Sequence, residues 1–254
     1  MQLSNLLDDY TIKARLVPAL INISPIIIAI SLVLSYLNFD IKIILGSATF
    51  SSLVIPLFLT EVFRTKGVKI EENNYKKWGG KPTTIILRRA DQEYDDVSKS
   101  KIYSFIKDDF EIDLFKDPSD HNISNAVKHI IAYFHRNPDA LLRQHNIEYG
   151  LVRNLAGGIN FLITQLIIWL LFAVYRLYID QTWTSSYVTI AILTLLTLAL
   201  VLKYRVYPFM ITNRSYRYAR TLIELYYYHK SQLKRSEAAP QPARATITAQ
   251  DSKG

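Results

Sequence analysis

The chain has 254 residues, half of them hydrophobic, and a formal net charge of +8. It contains no cysteine, which excludes disulfides, thiolate metal sites and cysteine nucleophiles together. The apolar residues are gathered into four charge-free runs, 16–37, 43–60, 154–175 and 181–202, which excludes an ordinary water-soluble core.

Each run is about 20 residues long, enough to cross a hydrocarbon core of ~30 Å at ~1.5 Å per helical residue. Lipid offers the backbone no partner, so each run is predicted to be a helix. The predicted fold class is an all-α integral membrane protein. Four transmembrane helices form two hairpins, and a small helical domain is inserted between them.

In chain order, residues 1–15 come first. Leu3, Leu6, Leu7 and Tyr10 recur at helical spacing. Two readings stand, a short amphipathic helix on the membrane surface or a frayed end. The early acids, and the lack of a small-residue cleavage site, argue that the first run is retained as a span. Residues 16–63 form hairpin 1. Its first span carries Pro18 and Pro25, with Asn22 and Ser24 beside them. Its second carries Gly46, Ser47, Ser51 and Ser52, then Pro56. Small residues let helices approach closely; a polar stripe lining a pore is the alternative.

Residues 64–152 form the inserted domain. Its start is basic, with Arg64, Lys66, Lys69, Lys76, Lys77, Lys81, Arg88 and Arg89. The chain after the fourth run is basic too, whereas the two short turns hold only Lys42, or Asp180 just beyond Arg176. The positive-inside rule then places the insert and both termini in the cytoplasm. Between Asp91 and Asp120 the insert turns acidic. Ile102, Phe105, Ile106 and Phe110 mark one helix, and Ile123, Val127, Ile130, Ile131 and Phe134 a second. Asp117-Pro118 reads as the second helix's start, with the proline at its first position. Asn137-Pro138 ends it. The next helix is expected to run unbroken into the third span.

Hairpin 2 occupies residues 153–207. Gly157, Gly158, Asn160 and Gln165 lie in its first span, and Arg176 and Asp180 are spaced to pair. Pro208 is expected to bend or end the last span. Residues 208–235 read as a basic helix, placed either on anionic lipid or, preferably, on the insert's acidic face. Residues 236–254 have a disordered composition.

The stretch Trp78-Gly79-Gly80-Lys81-Pro82-Thr83-Thr84 does not make a phosphate loop. It lacks the earlier glycine and the hydroxyl directly after the lysine. The plainer reading is a glycine turn, stiffened by Pro82, with Thr83 capping a helix over residues 84–90. The sharper reading is an anion site made by Gly79, Gly80, Lys81, Thr83, Thr84, Arg88 and Arg89. Asn22, Ser47, Ser51, Asn160 and Gln165 are candidates for pore lining or helix packing. The histidines show no metal-binding spacing and no serine has a nucleophile-elbow context, so no metal, cofactor or catalysis is expected.

Two motifs together, Trp78 to Thr84 with Leu87-Arg88-Arg89, and Asn146-Ile-Glu-Tyr-Gly-Leu-Val-Arg-Asn-Leu155, resemble a group of uncharacterised bacterial four-span proteins. By topology alone the chain is similar to membrane effectors of bacterial antiphage systems, such as the channel-forming partner of the nucleotidyltransferase in the Hailong system. Two hairpins, prolines and small residues inside the spans, a direct helix link from insert to third span and the lack of a catalytic set point to a homo-oligomeric inner-membrane channel or membrane-disrupting effector. Its trigger would be a nucleotide or oligonucleotide signal, or a partner nucleotidyltransferase, and it would not bind duplex DNA. The alternative is a non-conducting anchor that recruits a cytoplasmic partner.

Overall fold

The computed structural model describes residues 8–238, and among these there is no strand. The candidate surface helix at Leu3, Leu6 and Leu7, and the tail from residue 239 onward, lie outside the described residues. Helix begins at Asp9 and passes through a π-helical turn, Thr11–Leu16, directly into α1, Val17–Tyr36. Asn38 turns the chain in the left-handed region (φ 57°), and Asp40 caps α2 by accepting from the Lys42 amide at 2.7 Å. Helix α2, Ile41–Trp78, does not stop where the apolar run ends; it carries on for more than four turns into the polar insert.

The insert is helical, with starts set by polar caps. A single turn, α3, covers Pro82–Ile85. Helix α4, Asp96–Phe110, is capped by Asp95, and α5, Asp120–Arg136, by Ser119. Pro118 therefore precedes the cap instead of opening the helix. The Ser119 hydroxyl accepts from the Asn122 amide at 3.4 Å, a bond that a proline at that point cannot supply. Helix α6, Ala140–Asp180, is capped by Asp139 and runs as one 41-residue element from the insert through the third apolar run, as expected. Thr182 caps α7, Trp183–Val201. A second π-helical turn, Leu202–Val206, then joins α7 to α8, Tyr207–Ala238. Pro208 does not end the helix. Helix α7, the π-helical turn and α8 follow one another without a break, so Pro208 lies inside one continuous helical stretch.

Four of these helices are long and apolar enough to cross a membrane. Helices α1, α2 and α6 pack on one another, and α7 rests chiefly on α6. Among the described residues of α7 only Ala199 is buried. Outward-facing side chains along the four include Phe58, Leu171 and Trp183, all more than two-thirds exposed. Helix α6 is closely approached on two sides: Gly158 faces Asn22 of α1, and Gly157 faces the backbone of α2. A Cβ on Gly157 would collide with the Phe63 carbonyl and lie 2.7 Å from the Gly67 amide nitrogen, so α6 and α2 touch backbone to backbone. Gly46 is different: nothing lies within 4 Å of its would-be Cβ, and the packing role read for it is not observed.

The two prolines of α1 each free a carbonyl four residues back. Pro18 leaves Ala14, whose oxygen accepts from Asn154 Nδ2 at 2.6 Å. Pro25 leaves Ile21, whose oxygen accepts from the Ser24 hydroxyl at 2.9 Å. Asn22 is buried and donates to the Pro18 carbonyl at 2.9 Å; Gln165 is buried against it. Both are packing groups inside the helix cluster. Ser51 is buried, Ser47 bonds back to its own helix at Ile44 and Asn160 is exposed, so these five positions share no common stripe.

The insert has its own core. The buried stripe Ile123, Val127, Ile130 and Phe134 of α5 meets Ile102 and Ile106 of α4, and α8 completes it with Leu222, Ile223 and Tyr226. Replacing Ile130 with alanine there would cost about 2–5 kcal/mol. Charge reinforces the docking of α8. Arg220 pairs with Glu93, Lys230 with Asp109 and Lys234 with Asp108, at 2.6, 2.9 and 2.9 Å. The basic helix lies on the acidic face of the insert, the preferred one of its two predicted positions.

Candidate functional site: a polar cavity where α2 and α6 enter the insert

The turn after Trp78 is built by glycine chemistry. Gly79 ends α2 in the left-handed region (φ 78°), and the Gly80 amide returns to the Tyr75 carbonyl at 2.9 Å. Trp78 packs between Tyr75 and Tyr216, with ring centroids 6.0 and 5.9 Å away. Thr83 does not cap a helix. The cap position belongs to Lys81, no side chain fills it, and the helix ends after one turn because Ile86 and Leu87 turn into the insert core.

The seven residues read as an anion site separate into two groups. Arg88 is committed to structure. Its Nε and Nη2 fork onto the two Asp120 oxygens at 2.9 and 2.6 Å, and Nη2 also donates to the Gly79 carbonyl at 2.6 Å. This pairing holds the Asp120 carboxyl below its usual range. Arg89 donates to the Phe115 carbonyl, and Thr84 is buried. Gly79 and Gly80 shape the turn. Lys81 and Thr83 instead face a cavity of about 240 Å³.

That cavity is where the two sequence motifs meet. Lys81 and Thr83 come from the first, and Asn146, Tyr149 and Arg153 from the second. Glu71 and Tyr75 of α2 close one wall, and Tyr218 of α8 another. Two pairs at helical i,i+4 spacing face each other across the α2–α6 contact: Glu71 with Tyr75, and Tyr149 with Arg153. Arg153 Nη1 donates to Glu71 Oε2 at 2.9 Å, and both side chains are 13% exposed. The Tyr75 hydroxyl donates to Glu71 Oε1. Burial first, and the Glu71 charge second, push the Tyr75 and Tyr149 phenols well above their ordinary values, so both stay neutral. Burial alone opposes the Arg153 charge, but Glu71 more than offsets it and holds the guanidinium protonated.

No protein-family model, curated protein or solved structure matches this chain. The site's meaning therefore rests on its own geometry.

The acid, phenols and second-motif residues were not among the predicted site residues. Their signal was present as two i,i+4 pairs, one on each long helix, but nothing local to the sequence says which helix faces which. Among the described residues, no group of three or more His, Asp or Glu is placed to hold a metal ion.

Proposed function

We propose that this is a multi-pass protein of the bacterial inner membrane, with the insert and both termini cytoplasmic, that assembles into a homo-oligomeric channel or membrane-disrupting effector gated by the insert. The observation that carries this reading is continuity. Helices α2 and α6 each pass from the apolar layer into the insert without a break, and they cross at Gly67 and Gly157 beside the polar cavity. A movement in the insert has no flexible joint in which to be lost before it reaches those two helices.

Orientation follows from charge. The insert end of the apolar layer carries Arg15, Lys66, Lys69, Lys203 and Arg205, whereas the opposite end holds only Lys42 and Arg176, the latter paired with Asp180 at 2.6 Å. The need for several copies follows from packing. Asn22 and Gln165 are enclosed and hydrogen-bonded, so one chain supplies no polar lumen, and the sparsely covered α7 offers the surface for a neighbour. A nucleotide-type signal, or a nucleotidyltransferase partner, belongs to this reading as the trigger.

The anchor alternative relied on acidic and basic faces to recruit a partner. Glu93, Asp108 and Asp109 are instead spent on Arg220, Lys230 and Lys234 of the same chain, and the channel reading is preferred. Ion flux from liposomes containing the purified full chain is the test. Flux that rises on adding a nucleotide-type signal or partner enzyme is expected; sealed vesicles under every condition would refute conduction.

A further inference from the structure

We infer that the cavity between α2, α6 and α8 is a binding site for a phosphate-type oxyanion, either free phosphate, the phosphomonoester of a small molecule, or the same group on a lipid head.

The argument is a count of unused hydrogen-bond capacity. Glu71 is the one carboxylate in the cavity wall, and both of its oxygens are occupied, by Tyr75 and by Arg153. The donors are not used up. Arg153 Nε is buried with no partner, and the Lys81 ammonium, the Thr83 hydroxyl, the Asn146 amide and the Tyr218 hydroxyl donate no hydrogen bond within the described chain. The Tyr218 phenol is held neutral by burial, which leaves it a donor. Of these only Arg153 Nε is buried, and a buried donor without an acceptor costs about 1–3 kcal/mol; Lys81 and Asn146 are exposed at the cavity mouth, and Thr83 and Tyr218 are half-buried. A site lined this way favours an occupant rich in acceptor oxygens.

Charge and size narrow the class. Glu71 cancels one of the two cations, so Lys81 leaves the wall with a surplus positive charge. The donors approach from the turn after α2, from α6 and from α8. Three directions suit the three terminal oxygens of a phosphomonoester better than the two of a carboxylate. The volume, about 240 Å³, is below the ~300–1,000 Å³ of clefts that enclose drug-sized ligands. It accommodates one phosphate head, not an oligonucleotide. An oxyanion here would tie α8 and the α2–α3 turn to α6.

The test uses the full chain in nanodiscs of two compositions, phosphatidylcholine alone and phosphatidylcholine with phosphatidic acid. Radiolabelled inorganic phosphate and AMP are titrated in the first. Lipid retained on the protein is read by native mass spectrometry in the second. Saturable binding of either soluble probe supports the inference with a soluble source, and selective retention of phosphatidic acid supports it with a leaflet source. In either arm Lys81→Met and Thr83→Val should each weaken binding, Lys81→Met by about tenfold or more, the scale of one charge-assisted hydrogen bond. Lys81 is exposed and its ammonium makes no hydrogen bond within the described chain, so the variant keeps its fold; Lys101→Met, far along α4, is the control and should bind normally. Absence of saturable binding in both arms, or variants that bind like the parent, would overturn the inference. Only the gating role rests on the channel reading. Binding without flux would leave the site standing and remove the channel.

Discussion

Gln165 of α6 is spliced into the backbone of α1 at Asn22. Its Nε2 donates to the Asn22 carbonyl at 2.8 Å, while its Oε1 accepts from the Ile26 amide at 3.1 Å. Those two backbone groups are four residues apart, the donor and acceptor of one helical turn, so the carboxamide grips α1 at both ends of that turn. The carboxamide supplies both a donor and an acceptor, which no apolar side chain of its size can do. Gln165→Leu should therefore loosen α1 from α6 and lower stability in detergent by about 1–2 kcal/mol. Thermal unfolding followed by tryptophan fluorescence measures it, and an unchanged melting temperature would contradict a role for this contact in holding α1 to α6.

The crossing at Gly157 makes a sharper comparison. An added methyl would meet the backbone of Phe63 and Gly67, which cannot rotate away as a side chain can. Gly157→Ala should cost about 1–3 kcal/mol by overpacking. Gly46→Ala, in open space on α2, should be neutral or slightly stabilising because alanine is the better helix former. Equal effects at the two positions would contradict the helix contact described.

Removing Arg153 strands the Glu71 carboxylate in a buried wall. Arg153→Met alone should be strongly destabilising, by about 3–5 kcal/mol. The double variant Arg153→Met with Glu71→Gln removes both charges and should recover more than half of that loss. A double-mutant cycle on thermal stability measures the coupling.

His145 links α6 to α8 by sharing a hydrogen bond with Thr221 at 2.8 Å. Burial, and then the charges of Arg217 and Arg214, hold its pKa below the ordinary 6.5. The unfolded chain thus takes up the proton first as pH falls. Stability conferred at this position is present above pH 6.5 and is lost as pH drops from there toward the depressed folded value. His145→Gln keeps a partner for Thr221 and does not titrate. The melting temperature of the parent should fall relative to this variant on acidification from about pH 8 to pH 5.5; parallel curves would contradict the assignment.

Much of the architecture was legible in the sequence because charge-free runs and apolar stripes at helical spacing are local signals. The exact helix starts were less legible: Asp40, Asp95, Asp139 and Thr182 each accept from an amide of a first turn, whereas the cap read at Thr83 and the start read at Asp117-Pro118 are not where helices begin. The continuity of α6 was legible because no proline or glycine pair interrupts residues 140–153. The errors came from competing tertiary demands. Thr83 looked like a cap, but the chain turns into the insert core after Ile85. Pro208 was expected to bend or end the helix, and the helix runs on past it through a π-helical turn. The cavity was not legible, because Lys81 and Arg153 belong to segments brought together only by the Gly67–Gly157 crossing. Nor does sequence spacing alone tell Gly157, pressed on backbone, from Gly46, which touches nothing.

The central claim is that four helices cross the bilayer and carry the insert on the cytoplasmic side. A chain without cysteine makes this directly measurable, since each introduced thiol is unique. Lys101→Cys lies exposed on α4, and Thr184→Cys lies exposed in the first turn of α7. In intact spheroplasts a membrane-impermeant maleimide should label Cys at 184 at once and Cys at 101 only after the membrane is opened. Labelling of position 101 from outside, or of both positions equally before permeabilisation, would contradict the account.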